Sequence, residues 1–221
     1  MIYTITLNPA IDYFITLHET LLVDEVNRGN HEIYKAGGKG LNVSKVLSVL
    51  NIPSKAIAVL GGFTGHYIED SFAKDPNIEM IPIPVDGMNR INMKANYGKK
   101  ALCINGSGPV VNNCTVQLLL DEIAKITEDD IVVISGSMMH GFPDDFVTVL
   151  AQAVHQRNAK VVIDMEQITM EQLKECRPYL IKPNLYEFQL LMENDEINES
   201  NIDDYLKKAN EMGIENILVS L

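Results

Sequence analysis

The sequence predicts a doubly wound α/β fold, a mainly parallel sheet with helices on both faces, accompanied by a small separate β-sheet. Three observations carry this. From residue 115 onward, stretches of helical periodicity alternate with short apolar strands, the rhythm of a parallel sheet covered on both faces. The strands near the N-terminus follow one another with no helix between them. Two sequence-distant stretches, 10–33 and 88–105, carry strands outside the βα rhythm, which groups them in a sheet of their own. The expected division is a core of 1–9, 34–87 and 106–221, with 10–33 and 88–105 as the second unit.

In chain order, 2–7 (IYTITL) reads as a strand rich in β-branched residues, and Asn8-Pro9 breaks it. Residues 12–17 (DYFITL) alternate, 31–35 (HEIYK) form a third strand, and this uninterrupted run of strands points to an antiparallel element. Ala36 to Gly40 is a tight glycine loop. Apolar positions 43, 46, 47 and 50 then recur at helical spacing over 41–50. Strand 56–60 (AIAVL) is followed by Gly61-Gly62 and a helix near 65–74. Residues 78–85, 90–96 and 100–104 return to strands. Helices are expected at 115–126, 144–156, 170–176, 185–193 and 202–212. The strands between and after them are 131–135, 160–164, 179–182 and 216–220.

A chain of 221 residues buries enough surface to need no disulfide or metal staple. Its 46% hydrophobic and 22% charged residues exclude a disordered or fibrous protein. The net charge of −12 argues against nucleic-acid and anionic-membrane partners. Residues 1–110 are balanced, so the whole acidic excess sits in 111–221, and the neutral half is free to hold a local anion site. Cys103, Cys114 and Cys176 have no CxxC spacing and read as reduced thiols of a cytoplasmic protein. The N-terminus lacks a basic region and an unbroken apolar run, so it is not read as a signal peptide, and no stretch is apolar enough to span a membrane.

Polar motifs gather at strand ends, where open α/β sheets bind ligands. They are Gly61-Gly62, Ser135-Gly136-Ser137, Asp164, and Lys182-Pro183-Asn184. The loop Gly37-Gly38-Lys39-Gly40-Leu41-Asn42 opens a helix, so free amides and the positive helix end face forward. Lys39 adds charge there, and Asn42 can bond a hydroxyl. The loop matches neither GxxxxGK[ST] nor GxGxxG, and a plain glycine turn before a helix explains it equally well. Asp12 can bond two hydroxyls of a sugar, although an aspartate in a turn is also ordinary turn chemistry. Alternation places Arg90, Asn92 and Lys94 on one strand face, which suits a phosphate or a solvated surface. Arg28, beside another strand of the small unit, is a further candidate cation. Asn184 and Glu187 form a capping-box pattern, and Glu187 alternatively stands near a Mg²⁺, through water. The histidines at 18, 31, 66, 140 and 155 have no zinc spacing, and no GxSxG elbow occurs.

The blocks TLNPAIDY (6–13), EVNR (25–28), AGGKGLNVSKVL (36–47), LGGFTG (60–65), RINMK (90–94), INGSGP (104–109), SGS (135–137) and IKPNLYEF (181–188) run in order along the chain. Together they resemble the ribokinase-like, pfkB-type carbohydrate kinases, most of all the 1-phosphofructokinase branch, with tagatose-6-phosphate kinases as the near neighbour. The resemblance implies an ATP- and Mg²⁺-dependent transfer to fructose 1-phosphate, giving fructose 1,6-bisphosphate and ADP. By its pattern Asp12, Gly37, Gly38, Lys39 and Asn42 hold the sugar. Arg28, Arg90 and Lys94 are the candidates for its existing phosphate, Asn92 belongs with the substrate-binding set, and Ser137 stands near the sugar or the transferring groups. Asp164, Lys182, Asn184 and Glu187 face ATP and metal. The small sheet becomes a lid that pairs with a second subunit.

Three departures from the family pattern stand out. Met139 replaces the proline of SGS-x-P-x-G, and Asp164-Met165-Glu166-Gln167 replaces DTSG, which puts bulk on the ATP side. No GxGD occurs, so the family's catalytic aspartate is expected beyond Leu221 in a longer chain, and the base is left unnamed. A sugar-phosphate-binding protein without catalysis is the alternative.

Overall fold

The computed structural model describes residues 1–17 and 20–221. His18, and with it part of the expected 10–33 segment, lies outside the described residues. The strands are β1 (Ile2–Thr6), β2 (Ala10–Leu17), β3 (Gly29–Gly37), β4 (Ser54–Leu60), β5 (Ile78–Pro84), β6 (Arg90–Tyr97), β7 (Lys100–Ile104), β8 (Ile131–Gly136), β9 (Lys160–Met165) and β10 (Leu180–Ile181). The helices are α1 (Lys39–Val49), α2 (Gly62–Phe72), α3 (Asn113–Ile123), α4 (Phe146–His155), α5 (Met170–Cys176), α6 (Leu185–Leu191) and α7 (Ile202–Glu211).

Six strands form one sheet in the order β10-β9-β8-β1-β4-β5, every neighbour parallel. Strand alternation assigns the two faces. Along β4, Ile57 and Val59 join a core with Leu119, Phe146, Leu150 and Leu173, which lie under α3, α4 and α5. The intervening Ala56, Ala58 and Leu60 pack with Leu41, Ile68 and Phe72 under α1 and α2. Small alanines on the second face let α1 and α2 approach closely. Ile5, Ile57 and Ile134 are wholly buried. Such a side chain contributes about 1.5–3 kcal/mol, so the centre of this sheet is its energetic anchor. The expected doubly wound, mainly parallel architecture is present. Among the described residues no helix is long and apolar enough to cross a membrane.

The smaller sheet has the order β3-β2-β6-β7. Its outer pairs, β2–β3 and β6–β7, are antiparallel, but its central pair, β2–β6, is parallel. The antiparallel element expected of the N-terminal strands is therefore corrected: β2 and β3 pair antiparallel but sit in a mixed sheet, while β1, in the segment 1–9 expected for the core, lies at the centre of the main sheet. The reason is directional. β2 follows the carboxyl end of β1 and β6 follows that of β5, so both leave the same edge of the main sheet heading the same way. β3 also runs through Gly37, so 34–37, expected in the core segment, pair with β2.

The strand expected at 216–220 is reduced to two parallel bridges, Ile181↔Ile217 and Asn184↔Ser220. β10 beside it is only two residues long, which leaves little ladder to template.

Candidate active site

With all six strands of the main sheet parallel, their carboxyl ends share one edge, and the segments that follow them meet there. Gly38 makes the first turn possible. Its φ of 139° is a backbone conformation that side chains disfavour, and a Cβ there would stand 2.6 Å from the Thr6 side chain. α1 can then start directly over the end of β1, where Thr6 Oγ1 accepts from the Leu41 amide at 3.0 Å. No side chain caps this helix. Asn42 lies exposed in its first turn and makes no side-chain hydrogen bond among the described residues.

Lys39 extends from that turn into a carboxylate cluster. Its Nζ lies 3.2 Å from Asp164 Oδ1 at the end of β9 and 3.4 Å from Glu187 Oε1 on α6. Lys182, after β10, reaches the other Asp164 oxygen at 3.7 Å. Burial depresses the Lys39 pKa, but Asp164 and Glu187 outweigh it, and the ammonium is held above the ordinary lysine value. The capping box is also real. Asn184 Oδ1 accepts from the Glu187 amide and Glu187 Oε2 accepts from the Asn184 amide, each at 2.8 Å. The two oxygens of this carboxylate are thus divided, one capping α6 and the other facing Lys39.

On the small sheet, Asp12 of β2 lies in register with Asn92 of β6. Asp12 Oδ1 accepts from Asn92 Nδ2 at 3.1 Å, and Oδ2 lies 3.4 Å from Lys94 Nζ. Gly37, opposite Ala10, backs onto the Asp12 carboxylate.

Arg90 differs from these cations. Its Nη2 donates to Asn8 O at 3.1 Å and to Ser137 Oγ at 3.2 Å, both neutral acceptors. It makes no ion pair among the described residues, and its Nε is buried without a partner. Burial lowers its pKa, countered at longer range by Glu166 and Asp12. The two groups meet at Gly136, where a Cβ would stand 3.8 Å from Lys39 Cβ.

Arg28 stands apart. It is exposed just before β3, whose first residue pairs with Leu17 at the far end of β2 from Ala10. Seven residues of strand, roughly 23 Å, separate those ends within one chain. All the other candidates lie along the shared edge or on the small sheet facing it.

Three residues that sequence reasoning passed over also belong here. Asn8, read only as a strand breaker, supplies the carbonyl that holds Arg90. Asn89, wholly buried, donates to Val59 O and accepts from the Gly61 amide, each at 2.9 Å, and so ties the start of β6 to the end of β4. The Glu166 amide donates to Gly136 O at 3.0 Å. Its side chain lines a cavity of ≈ 370 Å³ beside Ser137 and His140. Asn8 carried a signal in its place inside the TLNPAIDY block and Glu166 in its place in the 164–167 block, whereas Asn89 carried none. The bulk at 165–167 is accommodated, because Met165 turns into the core and Gln167 takes a positive φ of 59°. Met139 is likewise 3% exposed and packs in the core.

This fold, with cationic, carboxylate and amide side chains gathered along one strand-end edge beneath a second sheet, defines a class. The chain belongs to the pfkB family of carbohydrate kinases, which matches residues 5–221. It is 36% identical over 221 residues to the 1-phosphofructokinase of Bacillus subtilis, covering 100% of this chain and 72% of that protein. It is 33% identical to the D-tagatose-1-phosphate kinase of Bacillus licheniformis, with 100% and 72% covered. Among solved structures, phosphofructokinase-2 from Escherichia coli in complex with substrates and products superposes with a TM-score of 0.89 at 22% identity, over 100% of this chain and 72% of that one.

Proposed function

We propose that this carbohydrate kinase binds fructose 1-phosphate between the two sheets and transfers the terminal phosphoryl group of ATP to the sugar's C6 hydroxyl, giving fructose 1,6-bisphosphate and ADP. The observation that supports this reading best is Arg90. A half-buried guanidinium touching only neutral acceptors, with its Nε unpartnered, is poised for an anion that grips it from one side. In this reading Arg90 and Ser137 hold the phosphate already on the sugar. Lys94 and Asn92 hold Asp12 in place for the sugar hydroxyls, and Gly37, Gly38 and Asn42 shape that end of the cleft. Asp164, Lys182, Asn184 and Glu187 face ATP, and Lys39, assigned to the sugar by the resemblance, joins them here because its ammonium reaches Asp164 and Glu187.

Transfer of a phosphoryl group is chiefly positioning and charge stabilisation, which fixed lysines supply. Mg²⁺, when bound, would neutralise phosphate charge. The Asp164 and Glu187 oxygens suit it as acceptors of its water ligands, which magnesium characteristically retains. The small sheet, 10–33 and 88–105 in its main extent, acts as a lid that excludes water. Ile33, Tyr34, Ile91 and Ile104 leave it 41–53% exposed, which supports pairing of two lids in a homodimer. Sedimentation as a monomer would remove that part of the reading. A cytoplasmic setting fits the three free cysteines.

Two relatives bearing tagatose-1-phosphate kinase names set the rival substrate. This shifts the expected competitor from a 6-phosphate to a 1-phosphate. Fructose and tagatose 1-phosphates differ only at C4, so the Arg90 contact serves both and hydroxyl contacts must discriminate. Calorimetric titration of the protein with each sugar phosphate, followed by ADP release with ATP present, tests the proposal. Tighter binding of tagatose 1-phosphate overturns the substrate. Binding of fructose 1-phosphate without ADP release leaves a sugar-phosphate-binding protein.

A further inference from the structure

Asn8 is 5% exposed and sits where three segments meet. It follows β1. Its Nδ2 donates to Ser107 O at 3.4 Å, in the loop by which the chain leaves β7 of the small sheet. The same group donates to Met138 O at 3.3 Å, in the loop after β8 that carries Ser137. Its own carbonyl accepts from Arg90. On the remaining side, Asn8 Oδ1 is buried without a partner, and a Cβ on Gly108 would stand 2.9 Å from it. A strand-ending turn needs only Pro9. An amide buried at this junction costs free energy unless its bonds are made, and both carbonyls that use it come from segments distant in sequence.

We propose that Asn8 is a positioning residue for the sugar phosphate. Its amide clamps the return loop of the small sheet to the Ser137 loop. That clamp fixes the separation across which Arg90 spans Asn8 O and Ser137 Oγ. Asn8 acts through Arg90, not on the ligand, and the inference rests on Arg90 being the anion anchor. Because Ser107 belongs to the lid's exit and Met138 to the core, the clamp also sets where the lid stands when the phosphate arrives.

The test uses Asn8→Leu, which keeps approximate size, adds no charge and removes both donors. Calorimetric titration with fructose 1-phosphate is expected to show affinity weakened about tenfold, the scale of a lost buried hydrogen bond. ADP affinity is expected to stay within about twofold. In an Arg90→Ala background the Asn8→Leu change is expected to add little, since coupled residues are not additive. Unchanged sugar-phosphate affinity, equal weakening of ADP, or full additivity with Arg90→Ala each overturns the proposal. Should Asn8→Leu fail to fold, Gly108→Ala strains the same joint from its other side, and unaltered sugar-phosphate affinity there overturns it equally. Arg90→Ala separates the two levels. If that variant binds fructose 1-phosphate normally, the functional reading falls. If it binds weakly while Asn8→Leu does not, only the role of Asn8 falls.

Discussion

The two halves of the cleft hold their positive charge in opposite ways. At the β9–β10 end, Lys39 and Lys182 both reach carboxylates, with Asp164 shared between them and Glu187 completing the group. At the β8–β6 end, Arg90 rests on a backbone carbonyl and a hydroxyl. A compensated cluster is stable without a ligand and must be loosened to admit one. An uncompensated guanidinium carries its desolvation cost until an anion arrives. The first arrangement suits a site whose charges must be arranged before a polyphosphate binds. The second suits capture of a single phosphate.

The contrast breaks most visibly at Arg90. Arg90→Ala should weaken fructose 1-phosphate binding by about 2–3 kcal/mol, a charge-assisted bidentate contact, while leaving ADP affinity nearly unchanged. Titration of both ligands checks this, and parallel losses would erase the distinction between the two ends. Asp164→Ala should act on the fold instead. It strips the shared partner from Lys39 and Lys182 and should cost about 1–2 kcal/mol in urea unfolding, limited by the partial exposure of both lysines. Asn184→Ala removes half of the capping box and should cost about 1 kcal/mol by the same measurement. Finer resolution comes from pH. Because the folded Lys39 pKa is raised, its contribution is complete below the unfolded lysine value of 10.5 and is lost as pH rises through the folded value. Wild-type stability should therefore fall more steeply than that of Lys39→Met above pH 10.5. Matching slopes would show that the ammonium is not held by its carboxylates.

Much of this molecule can be read along the chain because its signals are local. The βα rhythm, the glycine turn at Gly38 and the Asn184–Glu187 cap each depend on neighbouring residues. The same holds for β6, whose alternation turns Asn92 and Lys94 together toward Asp12. What escaped reading depends on partners far away. The parallel seam between β2 and β6 joins segments about 80 residues apart, and no local pattern states its direction. Asn8 and Asn89 look like turn residues in sequence, yet they act as buried connectors because strands from elsewhere bring them backbone partners. Strand 216–220 shows the converse. Its apolar composition is that of a strand, but with β10 so short it keeps only two bridges.

The position of β1 has a consequence during synthesis. β1 is a central strand, flanked by β4 on one side and β8 on the other. Its apolar residues Tyr3 and Ile5 leave the ribosome well before β8, their second flank, which is not translated until residue 131 or later. At translation rates of about 5–20 residues per second, that wait lasts roughly 6–26 seconds. Over that interval a sticky N-terminal segment depends on chaperones or on provisional pairing with β4 alone. Synonymous changes that slow decoding between β4 and β8 should therefore lower the soluble yield without altering a single side chain.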